Sequence, residues 1–225
     1  MSTYYYWYAI TPDLPFPLNG DQSSDSLTLE RIGYWNLSAI VSKTADSHRD
    51  PSPQSVAEHH RIVARLLNAS NYRVLPLRFG TILTPDRILS LLESRHDEWT
   101  RLLQDIEGSV EMSLKVLWVP PKFDAPSRPL QSAYFTQRLQ AMQQQKTLGI
   151  ASREKIAAIE TRLEGLYLKR LMATPRHPDL LIEANYLMPE PRAQAFKQAI
   201  RTLMEEMSDY RWLCTGPWPP YHFVS

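Results

Sequence analysis

The chain has 225 residues and 26.0 kDa, with 43% hydrophobic and 22% charged residues, an ordinary globular balance. A chain of this size buries roughly 70% of its unfolded surface, in one large domain or two small ones. A formal net charge of +1 argues against a surface devoted to polyanions, and nothing approaches the ~18 apolar residues that span a bilayer.

The segment Tyr4 to Ile10 is apolar and aromatic. It is short, lacks a basic leader and is followed by Pro12, Pro15 and Pro17, so it reads as a strand rather than a signal peptide. Both of its alternating faces are apolar, which predicts a central strand covered on both sides. Thr11 to Glu30 is rich in Pro, Ser and Asp and reads as a loop. Leu37 to Val41 is a second strand. Ser52 followed by Pro53 is a helix start, and Val56, His59, His60, Val63, Leu66 and Leu67 form its apolar stripe.

Leu75 to Ile82 reads as an extended-and-turn segment. Thr84-Pro85 opens another helix, whose stripe of Ile88, Leu91, Leu92, Arg95, Trp99, Leu102, Leu103 and Ile106 predicts one continuous element stopped by Gly108. The period then switches to two. Val110, Met112, Leu114, Val116 and Trp118 face one way, and Glu111, Ser113 and Lys115 the other, up to Pro120-Pro121. A helical region follows, broken near Gly149, with Ile156, Ile159, Leu163, Leu166 and Leu171 on one face of its second half. Leu181 to Leu187 is a strand, Pro191 to Met207 a helix, and Tyr210 to Thr215 a last strand.

These elements predict an α+β protein of two domains. Residues 1–108 form an N-terminal α+β domain. Residues 109–216 form a ferredoxin-like variant with inserted long helices, and 217–225 a Pro/aromatic tail that docks on the domains.

Motifs that carry chemistry are missing. There is no G-x-G-x-x-G, P-loop, G-x-S-x-G or H-E-x-x-H. Eighteen prolines against seven glycines also leave little of the flexible backbone that cradles phosphates. His59 and His60 are adjacent on a helix and point about 100° apart, a poor start for a metal site. The acidic pairs Asp97-Glu98 and Glu205-Glu206 read as solvated helix faces. Cys214, the single cysteine, allows no intrachain disulfide and reads as a buried thiol. No catalytic residue, cofactor or metal is expected. The aromatic first strand could stack RNA bases on a ferredoxin-like sheet, but it lacks interleaved basic residues, so core packing is favoured.

Several segments together are similar to the gas vesicle protein F/L family. They are the aromatic strand Tyr4 to Ile10; Leu75-Pro76-Leu77-Arg78-Phe79-Gly80-Thr81, which resembles that family's L-P-x-R-F-G-T; Glu111 to Val116 with Lys115, where Met112 replaces the usual tryptophan; Asn185 to Pro189 followed by Phe196; and Thr215-Gly216-Pro217-Trp218-Pro219-Pro220-Tyr221-His222-Phe223, where His222 replaces a small polar residue. The resemblance spans nearly the whole chain. It implies a minor, non-enzymatic component of the gas vesicle, within the cytoplasm. The implied partners are the hydrophobic shell protein and other accessory proteins, with no nucleic acid and no lipid membrane. An RNA-binding or small-molecule enzyme module on a ferredoxin-like scaffold is the alternative.

Five residues stand out as interaction candidates: Arg78, Phe79, Trp218, Tyr221 and Phe223. Arg78 is expected to tie loop carbonyls or a carboxylate together, with an anion site as the alternative. In the tail, prolines preorder a strip on which Trp218, Tyr221 and Phe223 offer large apolar area. Docking on its own chain is favoured over presentation to a partner. The helices around Gln143 to Gln145 and Ser152 to Leu171 are a partner surface or a self-packed hairpin.

Overall fold

In the computed structural model, residues 3–13, 18, 28–71, 73–119, 153–174 and 180–224 are described. They form a mixed α/β fold with two antiparallel sheets. The first sheet begins with β1 (Tyr4–Pro12), β2 (Glu30–Tyr34) and β3 (Leu37–Thr44). α1 (Pro53–Ala69) follows, then the two-residue strands β4 (Leu75–Pro76) and β5 (Ile82–Leu83). The order is β2-β3-β1-β4, with β5 also pairing β1. β1 is therefore interior, as its apolar faces require, and residues 6–11 are buried.

The two faces of β1 meet different helices. Tyr6 and Tyr8 turn toward α1, where the Tyr8 ring stacks on His59 at 5.6 Å. Trp7 turns the other way, edge-on to Trp99 at 5.9 Å, in a core shared with Ile10, Val41, Ile88, Leu92 and Ile106. Burial of such side chains contributes on the order of 2 kcal/mol each. α1 starts as its sequence predicts. The Ser52 hydroxyl accepts from the Ser55 amide, and the Ser55 hydroxyl accepts from the Ser52 amide, a complete capping box.

Four expectations need correction. A strand, β2, stands between the expected loop and the expected strand at Leu37, beginning at the loop's last residue, Glu30, and pairing with β3 across a turn at Trp35 and Asn36. The continuous helix after Thr84 is two, α2 (Pro85–Ser94) and α3 (His96–Asp105), broken at Arg95. Arg95 is no part of an apolar stripe: it grips Glu98 and lies over the Trp99 ring at 5.0 Å. Next, the helix α4 at 153–163 ends short of Leu171, because Gly165 takes φ +77 and the chain enters β7 (Lys169–Met172). Finally, Glu111, expected on a solvated face, is only 2% exposed. The expected helices around Gln143 to Gln145 lie outside the described residues.

The second sheet adds β6 (Ser109–Trp118), β8 (Leu180–Pro189) and β9 (Tyr210–Trp218), in the order β7-β8-β6-β9. A single 3-10 turn and α5 (Ala193–Glu206) connect β8 to β9. On β6, Val110, Met112, Leu114 and Val116 are fully buried, as the period of two requires. Tyr186 on β8 packs against Phe196 of α5 at 5.1 Å and donates to Glu160 of α4 at 3.2 Å. Glu160 also pairs with Arg170 of β7 and accepts from Tyr167.

The chain divides into two compact units. The first comprises residues 1–112, 187–190 and 216–225, and the second 113–186 and 191–215.

Candidate interaction site

The first unit contains a polar network buried among aromatic rings. The His59 Nε2 nitrogen is 3.1 Å from the Leu77 carbonyl oxygen, which can only accept, so the ring proton sits on Nε2. Nδ1 then accepts, and the Tyr6 hydroxyl donates to it at 3.0 Å. The Tyr6 oxygen in turn accepts from the Gly80 amide at 3.0 Å. Burial holds the His59 pKa down at about 4, so the ring is neutral. Burial raises the hydroxyl pKa values of Tyr6 and Tyr8, which also remain neutral.

This network fixes the 75–81 segment. The Leu77 amide donates to the Tyr8 carbonyl and the Trp7 amide to the Thr81 carbonyl, both part of the same clamp. The Thr81 hydroxyl and amide both donate to the Arg78 carbonyl, and Gly80 adopts the left-handed φ of +82. The corner thus closes through main-chain groups, Tyr6 and His59. The Arg78 side chain, expected to tie it, is exposed and has no hydrogen bond or ion pair among the described residues. Phe79 is half-buried, edge-on to Tyr6 at 6.0 Å and to His59 at 5.9 Å.

The second histidine reaches the tail. His60 lies 5.8 Å from His59, 5.3 Å from Tyr221 and 6.3 Å from Trp218, ring to ring. Burial depresses its pKa as well. The adjacent histidines therefore bring Phe79 and the tail aromatics into one cluster of packed rings. Burial also raises the Tyr221 pKa.

Glu111 fastens the tail. Its Oε2 accepts from the His222 amide at 3.0 Å, and its Oε1 lies 2.6 Å from His222 Nδ1, so backbone and ring of one residue engage both oxygens. Gly216 takes φ +123, and a Cβ there would lie 2.7 Å from the Glu111 carbonyl oxygen and from Met112 Sδ. No larger residue fits. Pro219 and Pro220 are buried, and Phe223 packs against the core around Trp7. Trp218 stays 40% exposed.

The family model described as gas vesicle synthesis protein GvpL/GvpF matches residues 4–225. This chain belongs to that family. Among its relatives, gas vesicle protein F1 of Halobacterium salinarum is 26% identical over 221 residues, 97% of this chain and 92% of the relative. Gas vesicle protein F of Haloferax mediterranei is 25% identical over 228 residues, 100% of this chain and 94% of the relative. The crystal structure of GvpF from Anabaena sp. PCC7120 superposes with a TM-score of 0.80 at 20% identity, covering 100% of this chain and 97% of that one. GvpF from Microcystis aeruginosa gives 0.77 at 17%, covering 99% of each. The fold of this GvpL/GvpF member is thus that of the GvpF crystal structures, and its role is gas-vesicle-related.

Of the five candidate residues, Phe79, Trp218 and Tyr221 converge on the histidine pair, while Phe223 packs half-buried against the Trp7 core and Arg78 is exposed. Sequence reasoning missed the parts that hold them. The partners Tyr6 and His59 are 53 positions apart and Glu111 and His222 are 111 apart, and no local spacing links them. No helix among the described residues is long and apolar enough to cross a membrane.

Proposed function

We propose that this chain is a non-enzymatic structural or assembly protein of the gas vesicle, which contacts the hydrophobic shell protein or accessory proteins during vesicle formation. The observation that carries this reading is how the buried ionisable groups of the first unit are used. His59 is spent on a carbonyl and a tyrosine hydroxyl, and both Glu111 oxygens on His222. Acid–base catalysis needs such groups turned toward a reactant; these are turned inward and build a rigid scaffold. Family membership supports the vesicle role.

We infer also that the second unit is a ferredoxin-like variant. In support, its strands run β7-β8-β6-β9, with α4 between the first and second in sequence and α5 between the third and fourth. The RNA-binding alternative loses its premise, because the aromatic strand that would stack bases is interior.

The test is co-expression of the full chain with the shell protein of the same vesicle, followed by purification of either. Retention of the partner supports the reading. Failure to retain it under every assembly condition defeats the reading.

A further inference from the structure

His60 carries a ring nitrogen that its surroundings leave unserved. Its helix, α1, is anchored in the core by the buried Val63, Leu66 and Leu67. The His60 ring is half-buried, but Nδ1 is enclosed and has no hydrogen-bond partner among the described residues. Its ring neighbours are Tyr221 at 5.3 Å, His59 at 5.8 Å and Trp218 at 6.3 Å. His59 differs, since both of its nitrogens are engaged.

A neutral imidazole tolerates this place. It carries one N–H, which Nε2 can hold, and leaves Nδ1 a bare acceptor. The imidazolium carries two, and sets a charged donor at Nδ1 where nothing accepts it, a far costlier defect than an unmet neutral atom. The titratable and charged groups nearby do not offset this. On α1, His59 is adjacent, and one turn away in either direction stand the uncharged Val56, Ala57, Val63 and Ala64. From the tail comes Tyr221, whose hydroxyl burial keeps neutral. Glu111 and Tyr6 act on Tyr221 and not on His60, and both Glu111 oxygens are already engaged by His222. Burial accordingly pulls the His60 pKa below its ordinary value.

We propose that His60 is an acid-sensitive latch for the tail: neutral, it seats Tyr221 and Trp218 against α1, and protonated, it releases them to solvent. The tail is the side that yields. Moving α1 would disturb its buried core residues, whereas Trp218 is already 40% exposed. Release lets water reach Nδ1 and solvates the charge. The sign follows from the proton count. The undocked state takes up a proton from solvent below about pH 6.5, the usual histidine value, and the docked state opposes it. Docking therefore weakens as pH falls from 6.5 and is insensitive to pH above it. Docking on its own chain and presentation to a partner are then two states of one segment, and acid converts the first into the second.

The test is amide exchange of the full chain at pH 7.5 and 5.0, each rate divided by its intrinsic value at that pH. The reporting amides are those of Tyr221, His222 and Phe223, which bond Pro219, Glu111 and Pro220, and residues 6–11 of β1 report the opening of the whole fold. In the wild type, protection of residues 221–223 should fall about tenfold on acidification while staying below that of residues 6–11 at both pH values. His60→Phe keeps an aromatic ring without a charge and should hold the same protection at both. Should it fail to fold, His60→Gln, also uncharged, takes its place. Protection that holds or rises in acid would show that the surrounding rings accept the charge, and would overturn the latch. Exchange of 221–223 in step with 6–11 would do the same, because the tail would then open only with the whole fold. An equal loss in the uncharged variant would assign the release to another group and overturn it as well.

Discussion

His222 and Glu111, 111 residues apart, form a closed pair: the amide of His222 donates to one carboxylate oxygen and its ring lies 2.6 Å from the other. The glutamate belongs to a strand that periodicity marks as half-solvated, and the histidine stands where the resemblance expects a small polar residue. Together they satisfy a buried charge and set the tail in place.

His222→Ala leaves one bond to Glu111 and removes the other, so the protein should lose roughly 2–3 kcal/mol, the scale of a hydrogen bond to a buried charge. Urea denaturation measures this. Glu111→Gln in the same background should recover part of the loss, because it removes the uncompensated charge. An unchanged midpoint for His222→Ala would mean that the pair contributes nothing.

Gly216→Ala brings a Cβ within 2.7 Å of main chain and sulfur at a φ of +123. Overpacking and strain together should cost at least about 2 kcal/mol. Amide exchange should rise across residues 216–224 before it rises elsewhere. Wild-type protection of that stretch would contradict the seating described for it.

His59 predicts a pH dependence with a definite sign. Its pKa is about 4 when folded and near 6.5 when unfolded. Below pH 6.5 the unfolded chain therefore takes up a proton that the folded chain refuses, and stability falls as pH drops from 6.5 toward 4. The limiting loss is on the order of 3 kcal/mol. Above pH 6.5 this histidine contributes no slope. The difference in unfolding free energy between wild type and His59→Gln, followed from pH 7.5 to 4.5, isolates the effect from titrating carboxylates. A difference independent of pH would show that His59 is protonated or solvated in the fold.

Arg78→Ala should leave stability within about 0.5 kcal/mol of wild type, since the guanidinium is exposed and the corner is closed by other groups. Tyr6→Phe should cost about 1–3 kcal/mol, because it strips the Gly80 amide and His59 Nδ1 of their shared partner. Thermal melts of the two variants give the comparison. The reverse order would restore Arg78 as the tie of the corner.

What the sequence disclosed depends on how local each cause is. The Ser52 cap, the Pro53 start and the two-residue period of β6 are determined within a few residues, and all were legible. The break at Arg95 has no Pro or Gly to announce it. Around it, His96 contacts Asn36, 60 positions away, and Arg95 bonds Glu98. β2 was hidden by its composition, since Arg31 and Gly33 weaken the strand pattern that pairing with β3 imposes. The site was the least legible part. Its aromatic ends could be picked out as large and proline-flanked, but the histidines and the glutamate that organise them act through contacts that no spacing encodes.

If ionisable groups here build the scaffold, recognition of the shell protein falls to apolar surface. Affinity of the full chain for purified shell protein, measured at low ionic strength and again at about 1 M salt where the Debye length shrinks to about 3 Å, tests it most directly. Apolar recognition predicts binding that weakens by no more than a few-fold. No binding at either salt, or affinity that collapses as charges are screened, would contradict it.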